Sequence, residues 1–281
     1  MESRTPGREM ISLMIFRILC GLLLFGVAAA AAQETTFLGF DRNDYPGDTN
    51  LAVLHRTFAY AGYWLNDPPG EKSNPWIGKR SALESAGFGF LVLFNGRRSQ
   101  ELKHDSVIQA QSDAQAAVAA AHREGFPAHT IIFLDIEEGG RMLPEQKSYI
   151  YTWADAVAAS GFRPGVYCSG IPAKAGNTSI VTAYDIRDNA QGRKLAYWVT
   201  QDSCPPSPGC VFPKQPPYPR DSGTPWAEVW QFVQSPRRKD FAAMCHNYNS
   251  DGNCYPPGIG PASQLHVDLN TAISADPSAG R

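Results

Sequence analysis

The chain has 281 residues, 43% of them hydrophobic, and a formal net charge of -2. This length and composition suffice for one large hydrophobic core, and the 25 glycines and 22 prolines indicate many loops between ordered segments. The near-neutral charge and the absence of a lysine- or arginine-rich run exclude nucleic acid as a partner, because phosphate backbones require a basic surface.

The N-terminus has the order of segments that is typical of a secretory signal. Three arginines precede an apolar stretch at residues 18–28, and alanines continue to Ala32. We therefore expect residues 1–32 to be a signal peptide and residues 33–281 to form a single domain that is secreted or periplasmic. An uncleaved anchor is the alternative, but the apolar stretch is shorter than the roughly 20 residues that cross a bilayer. No membrane span is expected after cleavage.

Short apolar segments recur along the mature chain and predict eight strands. They span residues 37–41, 57–64, 87–94, 130–137, 163–170, 195–201, 227–234 and 265–270. Four helical patterns lie between them, at residues 79–86, 106–124, 144–160 and 180–191. Strands that alternate with helices favour a parallel sheet, and eight strands favour closure, so the predicted fold is α/β, a (β/α)8 TIM-like barrel.

The later part of the chain departs from this alternation. Residues 202–226 and 235–264 are rich in Pro, Gly and Cys and lack helical periodicity, so we expect disulfide-stapled loops to replace the last helices in part.

The cysteines agree with an oxidising compartment. Cys204 and Cys210 bracket one short turn, and Cys245 and Cys254 bracket another, so the simplest pairing is Cys204 with Cys210 and Cys245 with Cys254. Cys168 is then left over, and we expect it to be buried and reduced. Zinc binding is the rival use, but neither pair has the spacing of a zinc motif, so we expect no metal and no cofactor.

A cluster of acids ends the fourth predicted strand, in the segment TIIFLDIEEGG at residues 130–140. Side chains alternate along a strand, so we expect Asp135 and Glu137 on one face, and Ile136 and Glu138 on the other. The structural alternative is that one acid caps the next helix or pairs with a nearby arginine. Burying carboxylates is costly unless they are paired or used, which favours a functional site.

A TIM-like barrel carries its active site at the carboxyl ends of its strands. Four acids are candidate catalytic residues there: Asp41, Asp135, Glu137 and Asp268. The first and last strands are neighbours in a closed barrel, so Asp41 and Asp268 should approach each other. The candidate substrate-binding residues at the same mouth are Tyr167, Tyr197, Trp198, Trp230 and Gln231. Aromatic faces stack on sugar rings and carboxylates cleave glycosidic bonds, so the set indicates a carbohydrate.

Six short motifs carry a resemblance to a known family. They are GFD, FLDIE, VYCSG, YWVTQD, VWQF and HVDLN. In their order and spacing, residues 37–273 resemble the glycoside hydrolase family 25 lysozymes and, more closely, the glycoside-hydrolase-like domain known as DUF1906. This resemblance implies that Glu137 is the general acid and that Asp135, Asp41 and Asp268 complete the site. The segment DRNDYPG and the two cysteine-containing loops are not lysozyme features.

Two functions fit these observations. The first is a secreted glycoside hydrolase, lysozyme- or muramidase-like, that cleaves a cell-wall or other extracellular glycan such as peptidoglycan. In it, burial beside other carboxylates raises the pKa of Glu137 so that it can protonate the leaving oxygen. The second is a catalytically inactive glycan-binding or cell-wall-associated protein whose acids bind sugar hydroxyls. Turnover on a panel of glycans distinguishes them.

Overall fold

The structure of the protein is a computed structural model that describes residues 35–102 and 105–281. The signal peptide expected at residues 1–32 lies outside the described residues. Within the described part of the chain, no helix is both long enough and apolar enough to cross a membrane.

Eight strands close into a barrel, as predicted. Their bounds are β1 Phe37–Asp41, β2 Tyr60–Trp64, β3 Gly89–Asn95, β4 Ile131–Asp135, β5 Arg163–Ser169, β8 Ala196–Thr200, β9 Val229–Val233 and β10 Asp268–Ala272. Around the barrel the order is β1, β10, β9, β8, β5, β4, β3 and β2, which pairs again with β1. A separate hairpin follows β5 and consists of β6 Ala173–Ala175 and β7 Thr178–Ile180.

Five α-helices occur among the described residues, and they include the four that the sequence predicts. Their bounds are α1 Leu51–Leu54, α2 Arg80–Ser85, α3 Ser106–Glu124, α4 Pro144–Ala159 and α5 Thr182–Asp188. The longest helix, α3, packs on α4 and buries mainly small alanine side chains. It ends at Gly125, whose φ of 79° is the left-handed conformation that commonly terminates a helix.

The strands are buried along almost their whole length, because side chains fill the barrel and helices or loops cover it. Close packing next to β1 depends on a glycine in β2. A Cβ atom at Gly62 would lie 2.7 Å from the Cβ of Asp41. The absence of a side chain at Gly62 therefore leaves the room in which Asp41 sits at the end of the barrel.

Stapled loops replace the last helices, as expected. Between β8 and β10, residues 201–267 contain β9 and only short 3-10 helices. The free cysteine is also as predicted, since Cys168 is buried and unpaired.

The predicted disulfide pairing is wrong. Cys204 bonds Cys245 and Cys210 bonds Cys254, across 41 and 44 residues of sequence. Each bridge joins the loop after β8 to the loop after β9, rather than closing a turn within one loop. The reason is that the two loops pack on each other, as the hydrogen bond from the backbone N–H of Cys210 to the carbonyl of His246 shows.

The last strand is a second departure, because β10 runs antiparallel to both β1 and β9. The expectation of parallel pairing is wrong for this strand. No helix carries the loop of residues 234–267 back along the barrel, so β10 starts at the same end at which β9 stops. Asp268 is the first residue of β10 and pairs directly with Asp41, the last residue of β1. In a parallel strand, the first residue would lie at the opposite end of the barrel.

Candidate active site

The four predicted acids line one cavity, of about 110 Å³, at one end of the barrel. The cavity lies where β1 and β4 end and where the antiparallel β10 begins. Its acidic lining residues are Asp41, Asp135, Glu137 and Asp268. Aromatic and amide side chains complete the wall.

Asp135 forms the acidic floor of this cavity and is only 3% exposed. No N–H or O–H donor of the described residues forms a hydrogen bond with either of its carboxyl oxygens. A second acid of the cavity, Glu137, stands two residues further along the chain, and its charge raises the pKa of Asp135. Two carboxyl groups that interact in this way do not both ionise readily, so the pair retains a proton.

The pKa shifts indicate where that proton resides. Burial raises the pKa of Asp135 well above its ordinary value, and the charges of Glu137 and Asp41 raise it further. Glu137 is exposed at the cavity opening. Desolvation by the surrounding walls nevertheless raises its pKa, while its interaction with Asp135 and the charge of Arg98 act in the opposite direction. Asp135 therefore holds the proton in the free protein, and Glu137 is the acid that reaches solvent.

Glu138, the next residue, has a structural role. Its carboxylate accepts hydrogen bonds from the backbone N–H and the hydroxyl of Ser99, both at 2.8 Å, and from Nε2 of Gln146 at 2.6 Å. These bonds connect the end of β4 to the loop after β3 and to α4. The alternation expected from the sequence thus separates an acid that lines the cavity from one that anchors loops.

Side-chain and backbone N–H groups hold the two acids on β1 and β10. Nε2 of Gln231 donates to both of them, to Asp41 at 3.0 Å and to Asp268 at 3.2 Å. Nδ2 of Asn270 donates to Asp41 at 2.7 Å, and the backbone N–H of Ser235 donates to Asp268 at 2.7 Å. Each of these carboxyl groups therefore has two donors, whereas Asp135 has none among the described residues.

Buried donors fix the direction of both amides. The hydroxyl of Tyr167 donates to Oε1 of Gln231 at 2.8 Å, and Nε1 of Trp198 donates to Oδ1 of Asn270 at 2.9 Å. Because each amide oxygen is used in this way, each amide NH2 group points toward the acids.

Burial still dominates the electrostatics of this wall. It raises the pKa of Asp41 to about 6, although the bonds from Asn270 and Gln231 act in the opposite direction. Burial and the charge of Asp41 raise the pKa of Asp268 well above its ordinary value. Among the described residues, no group of three or more His, Cys, Asp or Glu side chains is arranged to hold a metal ion.

The five predicted substrate-binding residues divide into two groups. Tyr167, Trp198 and Gln231 line the cavity. Tyr197 and Trp230 do not, so the structure does not place them with the acids. Each is adjacent in sequence to a cavity residue, and neighbouring side chains on a strand project to opposite sides.

The side chains of both residues make other contacts. The ring of Tyr197 packs 6.4 Å from that of Trp226, and Nε1 of Trp230 donates to the carbonyl of Gln201 at 2.8 Å.

Several contributors were not predicted from the sequence. Asn43, Trp64, Pro69, Leu93 and Gln234 line the cavity, and Asn270 orients Asp41 from β10. The position of Asn270 could have been predicted, since it follows Asp268 by two residues and therefore shares its face of the strand. Trp64 ends β2 as Asp41 ends β1, while Gln234 lies just beyond β9 in a loop.

Two wider cavities, each of about 390 Å³, adjoin the acidic one. The first, which we name the Arg98 cavity, shares Glu137 with the central cavity and is lined by Arg98. The second, the Arg42 cavity, shares Asp41 and Asp268 and is lined by Arg42. The acids thus occupy the narrow middle of a longer depression across the end of the barrel.

Comparison with known proteins agrees with this architecture. Residues 60–239 match the family described as Rv2525c-like, glycoside hydrolase-like domain. The chain belongs to this family. The matched region of this Rv2525c-like domain runs from β2 into the loop after β9 and includes Asp135 and Glu137. No curated protein matches the chain in sequence.

Solved structures show the same fold at low sequence identity. An uncharacterized protein of B. stearothermophilus is 19% identical, with a TM-score of 0.54 over 84% of this chain and 95% of the other. The Tat-secreted protein Rv2525c of Mycobacterium tuberculosis is 15% identical, with a TM-score of 0.50 over 88% and 98%. The spore cortex lytic enzyme SleM of Clostridium perfringens is 17% identical, with a TM-score of 0.51 over 85% and 68%.

Proposed function

We propose that this protein is a secreted glycoside hydrolase that cleaves a cell-wall or other extracellular glycan by carboxylate acid/base catalysis. The observation that carries the proposal is the pair formed by Asp135 and Glu137. A buried carboxyl group that has no donor and interacts with the charge of a second acid at a cavity opening is costly for folding and useful for proton transfer.

In this mechanism the two acids of the pair have different roles. Asp135 keeps its own proton throughout because burial disfavours its charged form. Glu137 takes up a second proton from solvent at the cavity opening, which its raised pKa favours, and delivers it to the glycosidic oxygen. Asp135 is still protonated at that point and can stabilise the Glu137 carboxylate that forms.

Asp41, the acid on β1, supplies negative charge. With a pKa of about 6, Asp41 is mostly ionised at neutral pH. The charge on this wall would stabilise the oxocarbenium-like transition state of glycosidic cleavage. Gln231 keeps Asp41 and Asp268 in place through its bonds to both, so we assign it a positioning role.

The substrate class and the compartment follow from several weaker observations. The signal sequence expected at residues 1–32, with residues 33–281 as the mature domain, and the two disulfides favour an exported protein. One protein of similar fold is described as Tat-secreted and another as a spore cortex lytic enzyme. These descriptions make peptidoglycan the first glycan to test.

The experiment measures turnover of a panel of glycans by the wild type and by Glu137→Gln. Glutamine keeps the shape of the side chain but cannot donate the catalytic proton, so turnover should fall by roughly 10² to 10⁴-fold. Glu228→Gln is a matched control. Burial also raises the pKa of Glu228, but this residue directly precedes β9, at the opposite end of the barrel from the acids.

Turnover that is equal in the wild type and Glu137→Gln would remove Glu137 as the acid. Binding of a glycan without turnover by the wild type would favour the second function, a catalytically inactive glycan-binding protein.

A further inference from the structure

The segment DRNDYPG, which departs from the lysozyme pattern, contains a buried arginine without a full set of partners. The Arg42 side chain is 13% exposed, and its Nε has no hydrogen-bond partner among the described residues. Its ion-pair contact is a long one, 3.6 Å from Nη2 to an Asp44 carboxylate that is itself 66% exposed. Leaving a buried guanidinium in this state is costly.

Two other arginines near this end of the barrel already have carboxylate partners. Arg97 forms a bidentate pair with Asp113, at 2.7 and 2.8 Å, and Arg238 binds Asp202 with two hydrogen bonds. Arg42 differs from these two arginines because no carboxylate binds its guanidinium closely.

The position of Arg42 is fixed by its backbone. Its carbonyl accepts a hydrogen bond from Nε1 of Trp64 at 3.1 Å, and Trp64 lines the central cavity. Arg42 itself lines the Arg42 cavity, which also contains Asp41 and Asp268. A ligand group held by Arg42 would therefore lie directly beside the proposed cleavage site.

We propose that Arg42 binds a carboxylate on the sugar residue next to the cleaved bond, so that the Arg42 cavity selects acidic glycans. A planar guanidinium and a carboxylate form two parallel hydrogen bonds, and Arg42 would supply its donors from the part of the side chain that lines the cavity. This inference rests on the proposed glycan-cleaving function and adds to it the chemical class of the substrate.

The charges of Asp44 and Asp268 attract the guanidinium of Arg42, but the contact with Asp44 is long, at 3.6 Å, and Asp268 forms no ion pair with Arg42 within 4.0 Å. Both carboxyl oxygens of Asp268 accept other donors, from Ser235 and Gln231. Asp44 and Glu71 line the same cavity but are exposed, so solvent and salt screen their charge more than that of the buried guanidinium.

His266 adds no second cation to the cavity. Burial and the charge of Arg42 lower its pKa, so its imidazole is neutral at physiological pH.

The test compares two acidic glycans with their own carboxyl-reduced forms, in which each carboxylate has become a primary alcohol. The first is a hexuronic-acid oligosaccharide. The second is a peptide-free peptidoglycan strand, whose lactyl groups carry free carboxylates. For at least one of the two glycans, the wild type should show a kcat/KM roughly 30-fold or more higher on the acidic form than on the reduced form. Its affinity should show the same preference, because the reduced form leaves the guanidinium of Arg42 unpaired. The acidic form that shows this preference identifies the source of the carboxylate.

Variants locate the preference. Arg42→Gln should lose it by weakening use of the acidic form far more than use of the reduced form, and a circular-dichroism spectrum and melting temperature like those of the wild type would show that it is folded. Arg42→Lys keeps the charge without the planar pair and should fall between. The exposed Arg56 lines a separate cavity beside the start of β1, so Arg56→Gln is the control and should behave as the wild type.

Equal use of acidic and reduced forms by the wild type would overturn the inference and leave the proposed hydrolase intact. So would an Arg42→Gln variant that loses activity equally on both forms. A wild type that cleaves no glycan would contradict the proposed function instead, and the affinities would then decide on Arg42. Absence of binding to every acidic form would overturn the inference as well.

Discussion

The two walls of the acidic cavity accommodate buried carboxyl groups in opposite ways. On β1 and β10, Asp41 and Asp268 each accept two hydrogen bonds from N–H donors that are themselves held in place. At the end of β4, Asp135 has no such donor among the described residues and interacts with the charge of another acid instead. The first wall keeps Asp41 mostly ionised at neutral pH, whereas the second retains a proton on Asp135. A site that must both give a proton and stabilise a cation needs both arrangements.

The largest expected effect comes from breaking the loops that support the donor-rich wall. Ser235, which donates to Asp268, lies in the loop that both disulfides secure. Replacing Cys204 and Cys245 together by serine opens a constraint across 41 residues and should lower the free energy of unfolding by about 3 to 4 kcal/mol. Denaturant unfolding without reductant measures it.

The matched control for this change is Cys168→Ala, which removes a cysteine that forms no bridge. It should lower the free energy of unfolding by about 1 kcal/mol, the value for a small truncation in a core. If the double variant loses no more unfolding free energy than this control, the loops stay in place without the Cys204–Cys245 bridge.

The next effect concerns the charge of Asp41. Its pKa rises from 3.8 to about 6 on folding, so between these values the folded state binds more protons than the unfolded state. The stability contributed by protonated Asp41 is present below about pH 4 and is lost as the pH rises through 6. The free energy of unfolding of Asp41→Asn, taken relative to that of the wild type, should therefore rise by about 3 kcal/mol between pH 4 and pH 8.

Unfolding in denaturant at the two pH values gives the comparison. Asp188→Asn is the control, because Asp188 is exposed at the end of α5 and its replacement should leave the pH dependence as it is in the wild type. A wild type and an Asp41→Asn variant with parallel pH profiles would contradict the raised pKa.

A smaller effect tests the orientation of the amides. Tyr167→Phe removes the hydroxyl that donates to Oε1 of Gln231, so the buried amide loses a partner and should cost about 1 kcal/mol of unfolding free energy. Tyr197→Phe is the matched control, since Tyr197 does not line the cavity and should leave the affinity for a glycan unchanged. If Tyr167→Phe is as stable as the wild type and binds glycan equally well, Gln231 does not depend on this hydroxyl.

The two walls also differ in how far the sequence predicts them. The end of β4 was predicted in detail, because strand alternation is a local property and places Asp135 and Glu137 on one face. Closure of the barrel placed Asp41 beside Asp268, since the first and last strands of a closed sheet are neighbours. The same alternation implies that Tyr197 and Trp198 cannot both face the cavity, nor can Trp230 and Gln231, but the structure is needed to show that Trp198 and Gln231 do.

The β10 wall was predicted less well, because it depends on tertiary packing over long stretches of sequence. The sequence predicts that the loop before β10 lacks helical periodicity, but no local pattern gives the end of the barrel at which that loop finishes, and this sets the direction of β10. The spacing of the cysteines favoured bridges within short turns. The bridges instead join two loops that pack on each other, with partner Cα atoms 5.2 and 5.7 Å apart. The unsatisfied state of Arg42 also depends on packing and could not be read from the sequence.

The central claim is that Asp135 retains a proton while Asp41 is the stronger acid. Carbon-13 NMR of side-chain carboxyl groups, titrated by pH, tests this without a substrate, and Asp135→Asn and Asp41→Asn assign the two signals. The account predicts that Asp41 titrates with a pKa of about 6 and that Asp135 titrates at a higher pH. An Asp135 signal that titrates below that of Asp41 would contradict the account.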